Sequence, residues 1–237
     1  SGKKGEAEKF AGAIASYSIE YFLPNGRAAQ GPDAHFDGQN FAKAFEITFL
    51  NEKGAKEYVW QNTWAITTRM IGIIAMVHGD DKGLVIPPNI APVQVVIVPI
   101  LFEDSKKEVL AAAAKLKQQL EKENIAAELD DRETYTAGWK FNEWELKGVP
   151  IRIELGPRDL EKQQLVLFRR DTMQKETAKI TTAAAAVKKL LDEIQDSLLN
   201  KSRQQLENSI VAAKSVAEIA AAVKNKKFAK GFFCGSV

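Results

Sequence analysis

Residues 137–171 read AGWKFNEWELKGVPIRIELGPRDLEKQQLVLFRRD. Gly138, Trp139, Lys140 and Phe141 read as an aromatic–basic loop that leads into a short strand over 149–155. The turn Gly156-Pro157-Arg158-Asp159 ends that strand, and a second apolar strand follows over 164–169. Upstream, 93–101 is a continuous apolar, β-branched run of the kind that forms a strand covered on both faces. Ser105, with Glu108 three residues on, reads as the capping box of a helix over 106–123, whose Val109, Ala112, Leu116 and Leu120 share one face. A further strand over 125–129 completes the spacing of a βαβ unit. Together these elements predict an α/β domain with a mixed sheet over 91–200.

The flanks differ in texture. Over 1–90, Tyr17, Ile19 and Tyr21 alternate with polar residues as in a half-buried strand, and Asn25-Gly26 offers positive-φ residues for a hairpin. The stretches 41–50 and 57–64 read as further strands, and 69–77 as a short apolar helix. Antiparallel sheet followed by one helix is the expectation, with the boundary at Pro87-Pro88, since paired prolines continue neither helix nor central strand. From Thr172 the chain is nearly all helix-forming, in alanine-rich segments 178–199 and 203–223. The fold class is therefore α/β and α+β, multidomain, with a mostly helical segment over 201–237.

Hydrophobic residues make up 45% and charged residues 27% of 237 residues, an ordinary globular balance. A net charge of +2 means that any RNA contact must come from local clusters of Lys and Arg. The lone Cys234 excludes an internal disulfide framework and points to a reducing compartment. The apolar runs 70–77 and 93–101 are too short to span a bilayer, and the first twenty residues lack a signal-peptide core. A cytoplasmic setting without membrane contact is expected.

Three constellations carry chemistry. In NTWAITTRMIG, 62–72, a strand ends at Arg69 and a helix begins, so its guanidinium can offer a planar charged fork to a triphosphate. Gly72 would let that helix approach the sheet. A solvated arginine at a helix start is the plain alternative. In RAAQGPDAHFDGQNF, 27–41, a histidine lies in a polar loop, which is often merely solvated. In the 137–171 stretch, Trp139, Phe141 and Trp144 offer faces for stacking bases, and Lys140 and Lys147 offer phosphate contacts. Arg158 can pair bidentately with a guanine edge. The alternative has Trp139 and Trp144 in the core and Arg158–Asp159 as a turn-stabilising pair; at least one tryptophan should be core. His78-Gly79-Asp80-Asp81 reads as a structural loop, since adjacent ligands diverge.

GWKF, WELKGVP and GPRD, in that order, closely resemble the anticodon-binding domain of prolyl-tRNA synthetases of the eukaryotic and archaeal type. NTWAITTRMIG resembles motif 3 of class II aminoacyl-tRNA synthetases, and GQNF at 38–41 also matches. The resemblance covers nearly the whole chain and implies proline–tRNA ligation: ATP and Mg2+ activate proline to prolyl-adenylate, and the prolyl group passes to tRNA(Pro). It places catalytic and ATP-binding roles on Arg69 and Gln30, with Thr67 on ATP and Gln30 indirectly on Mg2+. Proline binding falls on His35 and Trp64, and on Asp33, where the family has a small hydroxyl residue. Anticodon contacts fall on Arg158, Lys140 and Glu154. Cys234 sits where many relatives begin a zinc site, but one cysteine cannot fill it, so no zinc is expected. Motifs 1 and 2 are not found. The resemblance therefore implies the C-terminal half: the end of the catalytic domain over 1–90, the anticodon-binding domain over 91–200 and the start of a C-terminal domain over 201–237. Such a fragment is expected to be inactive alone, the family's dimer forming through the N-terminal region. Two rivals stay open: a non-catalytic tRNA-binding or regulatory relative, and another class II synthetase (threonyl, histidyl or glycyl) sharing the anticodon-binding fold.

Overall fold

A computed structural model describes residues 1–232; Cys234 and the expectation attached to it lie outside them. The chain divides into two compact units, residues 1–77 together with the chain from Leu206 onward, and residues 78–205. The divisions expected from the sequence were at 90/91 and 200/201.

In the first unit the strands β1 (Gly2–Lys3), β2 (Ala15–Phe22), β3 (Ala28–Gly38) and a later strand form an antiparallel sheet. The β2–β3 hairpin closes through Pro24-Asn25-Gly26, with Gly26 N donating to Leu23 O (2.9 Å) and Leu23 N to Arg27 O (2.8 Å). Only Gly26 has positive φ (79°), so this is a three-residue loop with a left-handed glycine rather than a two-residue turn with two positive-φ residues. Strand β2 alternates as expected but in the opposite sense: Tyr17 and Ile19 are exposed, while Ser16 and Ser18 are buried. The small hydroxyls can go inside because hydrogen bonds satisfy them, as described below. The stretch 41–50 is not one strand: α1 (Asn40–Ala44) precedes β4 (Thr48–Leu50), which pairs with β5 (Lys56–Tyr58). The fourth sheet strand is β6 (Gln61–Ala65), followed by α2 (Arg69–His78). A Cβ on Gly72 would meet open space, so no close approach requires that glycine.

The second unit holds β7 (Val95–Pro99), α3 (Lys106–Lys122), β8 (Ala127–Leu129), α4 (Ala137–Lys147), β9 (Ile151–Leu155), α5 (Pro157–Glu161), β10 (Gln164–Arg169), β11 (Lys175–Lys179) and α6 (Ala183–Glu207). Its mixed sheet runs β11-β10-β9-β7-β8, with β7 parallel to β8 and β9 and the other pairs antiparallel. Val95, Ile97, Ile151, Ile153, Leu165 and Leu167 pack on Leu116 and Leu120 of α3 and on Val187, Leu190 and Ile194 of α6. Val96 and Val98 turn the other way, onto Trp144 and Val149. Every residue of β7 is therefore buried, as its unbroken apolar run predicts. Ser105 makes no side-chain cap; a short 3-10 turn, Glu103–Ser105, leads into α3 instead.

The GWKF stretch is the first turn of α4 and not a loop. Thr136 caps it by accepting from Trp139 N (3.3 Å), and Gly148 at φ 75° ends it. Arg158 and Asp159 do not form a turn-stabilising pair; Asp159 Oδ2 accepts from Gly156 N (3.0 Å) and caps α5. Strand β11 was expected to be helical. Beyond α6, β12 (Ile210–Ala212) and β13 (Phe228–Lys230) pair in parallel around α7 (Val216–Lys224), so the tail is not helical throughout. Ser215 caps α7 by accepting from Glu218 N (3.2 Å). No helix among the described residues is long and apolar enough to cross a membrane.

Candidate functional site

The register of the first sheet decides which side chains meet. Glu20 lies opposite Gln30, Ser18 opposite Asp33, and Ser16 opposite His35; on the other side of β3, His35 lies opposite Thr63. Opposed residues share a face, so Gln30, Asp33 and His35 project together. Gln30 Nε2 donates to Asp33 Oδ2 (3.1 Å), and Gln30 Oε1 accepts from the Lys4 ammonium (2.6 Å). His35 stacks on Phe10 (4.8 Å between centroids), pairs through Nδ1 with Ser16 Oγ (2.8 Å), and brings Nε2 within 3.5 Å of Asp33 Oδ2. Ser16 Oγ also accepts from Phe10 N (2.9 Å), and Ser18 Oγ donates to Glu20 Oε1 (2.9 Å). Asp33 Oδ1 is buried, and no hydrogen bond from the described residues reaches it. A buried acceptor left open beside a histidine suits a ligand that carries N–H donors.

Arg69 starts α2 and reaches back to the same strand, its Nη1 donating to Gln30 O (3.3 Å), while Thr67 Oγ1 accepts from Arg69 N (3.3 Å). The guanidinium is otherwise exposed. Beside these groups lies a hollow of about 390 Å³ lined by Lys3, Lys4, Glu8, Ser18, Glu20 and Gln30. Gln30 Oε1 is engaged by the Lys4 ammonium, and the described residues include no cluster of three or more His, Cys, Asp or Glu that could hold a metal ion, so any Mg2+ here would have to be carried mainly by phosphate oxygens. Trp64 is not part of this group. It lies opposite Ala34, on the other face of β3, and is 79% exposed; there it lines an apolar hollow of about 350 Å³ with Tyr17, Ile19, Pro32 and Ile66. The side-chain period of two places it on the face opposite His35, although Asp33 also borders this hollow.

In the second unit Asp130 is a buried hub. Its carboxylate accepts from Trp144 Nε1 (2.8 Å) and, through both oxygens, from Arg132 (2.8 and 2.7 Å). Burial alone would push this carboxyl up. The hydrogen bonds from Arg132 and Trp144 and the charge of Lys140 outweigh it and bring the pKa down to about 2. Arg132 also binds Glu143, which lies below the usual carboxylate range on that account. Lys140 is buried, its Nζ donating to Asp130 O (3.0 Å) and standing 3.7 Å from Asp130 Oδ1. Its expected place on phosphate is thus corrected: on α4 it falls on the inward face with Trp144, the tryptophan that is core.

Glu154 is buried as well. Arg152 donates to its Oε1 through Nε and Nη2 (3.2 and 2.9 Å), and Lys175 Nζ donates to its Oε2 (2.8 Å). Arg152 is held between the rings of Phe141 (4.1 Å) and Phe168 (4.0 Å) and binds Glu145 Oε1 (2.6 Å). Glu154 thus sits in a paired cluster rather than bare at the surface. Arg158 is exposed on α5. Lys147 pairs with Glu143 (2.9 Å) and lies over the Trp144 ring. Asp80 of the expected structural loop grips Arg170 through both oxygens (2.6 and 2.7 Å), which holds its pKa down at about 2.

Comparison with known proteins bears on both units. The family model described as "Anticodon binding domain" matches residues 94–190. A protein named proline–tRNA ligase from Natranaerobius thermophilus is 45% identical over 236 residues, covering 99% of this chain and 49% of that protein. This chain is similar to proline–tRNA ligases along nearly its whole length. The chloroplastic/mitochondrial relative of Arabidopsis thaliana is also 45% identical, over 97% of this chain and 44% of its own length. Proline–tRNA ligase 2 of Clostridioides difficile is 42% identical over 99% and 48%. The chain thus spans about half the length of the family members it matches.

Sequence reading missed three residues that organise the second unit: Asp130, Arg152 and Lys175. Arg152 and Glu154 alternate with Ile151 and Ile153, a period-two signal that marks one charged face of a strand. Lys175 was hidden by the helical reading of its strand. Nothing in the sequence singles out Asp130 as buried.

Proposed function

We propose that this chain is the working C-terminal half of a proline–tRNA ligase, supplying motif 3 and anticodon recognition. The observation that carries this reading is identity of 45% over 236 residues to a named member, running through both units at once. In the proposed reaction a proline carboxylate oxygen attacks the α-phosphorus of ATP, pyrophosphate leaves, and a ribose hydroxyl at the tRNA 3′ end then displaces AMP from the prolyl-adenylate. Mg2+ would neutralise phosphate charge and is assigned, indirectly, to Gln30. Arg69 is the preorganised cation for charge developing on the phosphates, and Thr67 sets the helix start that carries it. His35 borders the proline ring, and Asp33, through its open oxygen, takes the prolyl ammonium. Orientation and charge stabilisation, not a side-chain nucleophile, supply the rate.

Arg158 is assigned to a guanine edge of the proline anticodon and Glu154, steadied by Arg152, to guanine N–H donors. The proposed segments are 1–90 for the end of the catalytic domain, 91–200 for the anticodon domain and 201–237 for the start of a C-terminal domain. A homodimer in the cytoplasm completes the reading. ATP–pyrophosphate exchange, run with each amino acid on the full-length protein, tests it. Exchange with proline alone is the expected result; exchange with another amino acid, or with none, rejects it.

A further inference from the structure

The elements of the second unit leave one aromatic slot that none of the roles above uses. It opens beyond the carboxyl end of β7, where α/β sheets commonly admit ligands. The slot has a volume of about 250 Å³ and is bordered by Phe102 on one loop and Tyr135 on another, with Lys106, Glu133 and Thr136 at its rim. Phe102 is 60% exposed and Tyr135 42%. Tyr135 is backed by Trp139, itself 43% exposed, at 3.8 Å between ring centroids and 12° between planes. The Arg132 guanidinium lies 5.0 Å from the Tyr135 ring centre and 5.4 Å from that of Trp139. Thr136 caps α4 between the two rings, so the pair is held by a helix start and not by a free loop.

Large aromatic rings left open to water on rigid supports are costly for a fold and useful for a flat ligand. The charges around this slot are already matched: Lys106 binds Glu133 (2.6 Å), Arg132 binds Asp130 and Glu143, and the buried Lys140, which also lines it, donates to Asp130 O (3.0 Å). No cation lining the slot is left over to grip phosphate, so the slot suits the uncharged face of a base. We propose that Phe102 and Tyr135, the latter stiffened by Trp139, take one unpaired nucleobase of the anticodon arm by stacking, apart from the bases read by Arg158 and Glu154. This rests on the anticodon-binding reading of the unit.

The test uses the full chain and a synthetic RNA hairpin carrying the proline anticodon loop, with abasic replacements at each loop position in turn. Tyr135→Ala and Phe102→Ala should each weaken binding by about 5- to 150-fold, the usual worth of one base–aromatic stack. Tyr135→Phe should bind as the parent chain does. Because no phosphate is held there, the factor should stay constant as salt rises, while overall affinity falls. One abasic position should cost the parent chain the same factor and cost Tyr135→Ala nothing. Alanine variants that bind normally, or an abasic penalty unchanged in Tyr135→Ala, overturn the slot; if Arg158→Ala still loses anticodon preference, the anticodon reading survives. A hairpin that does not bind at all overturns both.

Discussion

Replacing Asp130 by Asn keeps the shape of the hub and removes its charge. Three donors converge on this carboxylate: Arg132, Trp144 Nε1 and, at 3.7 Å, the buried Lys140 ammonium. Asn offers one carbonyl oxygen and an amide that clashes, donor against donor, with one of them. Arg132 retains Glu143, but Lys140 keeps only the backbone oxygen of residue 130. Removing one partner of a buried ion pair costs about 3–5 kcal/mol. For a unit spanning 78–205 that corresponds to a fall of roughly 10–20 °C in its melting temperature. Calorimetry of the full chain at neutral pH reads the shift. The pH dependence gives a second check. The folded pKa of Asp130, about 2, lies below the unfolded value, so its contribution is full above the unfolded pKa and is lost as pH falls toward 2. The parent chain should lose about 2 kcal/mol through this group over that window, and Asp130→Asn should not. A melting temperature within about 2 °C of the parent at neutral pH would refute the hub.

The remaining predictions concern function. In the full-length protein Arg69→Ala should slow adenylate formation by about 10²-fold or more, as expected for losing one preorganised charge-stabilising donor, with little change in melting; near-normal exchange would remove Arg69 from the chemistry. His35→Ala and Asp33→Asn should raise the KM for proline more than that for ATP. Small, equal effects on both substrates would return the β3 face to a structural role. Arg158→Ala should remove about 1–3 kcal/mol of the preference for the proline anticodon over one with its guanines replaced, measured by filter binding; unchanged discrimination would leave the arginine a bystander.

Periodicity and motif order make much of this protein legible in its sequence. The unbroken apolar run of β7 announces a strand covered on both faces, and Val95–Val98 are wholly buried because helices pack on one side and Trp144 on the other. The strand 164–169 and the helix beginning at Arg69 form where their local patterns start, since each is ended by local breakers. Gln30, Asp33 and His35 can be named from a motif and do share a face.

What the sequence alone could not decide depended on register, helix phase and long-range pairing. Trp64 sits one strand away from His35 on the opposite face, because a one-residue offset in a pleated strand inverts a side chain. Lys140 looks like a solvent-facing cation until α4 forms and turns it toward Asp130, ten residues back. Strand β11 carries a helix-compatible sequence, KETAK, and is a strand only because the edge of β10 offers it a hydrogen-bonding partner. Tyr135 and Trp139 gain meaning when a helix start sets them four residues apart and stacks them. Local sequence determines which elements form; the partners that satisfy a buried charge or complete a face come from distant parts of the chain, and only the folded structure brings them together.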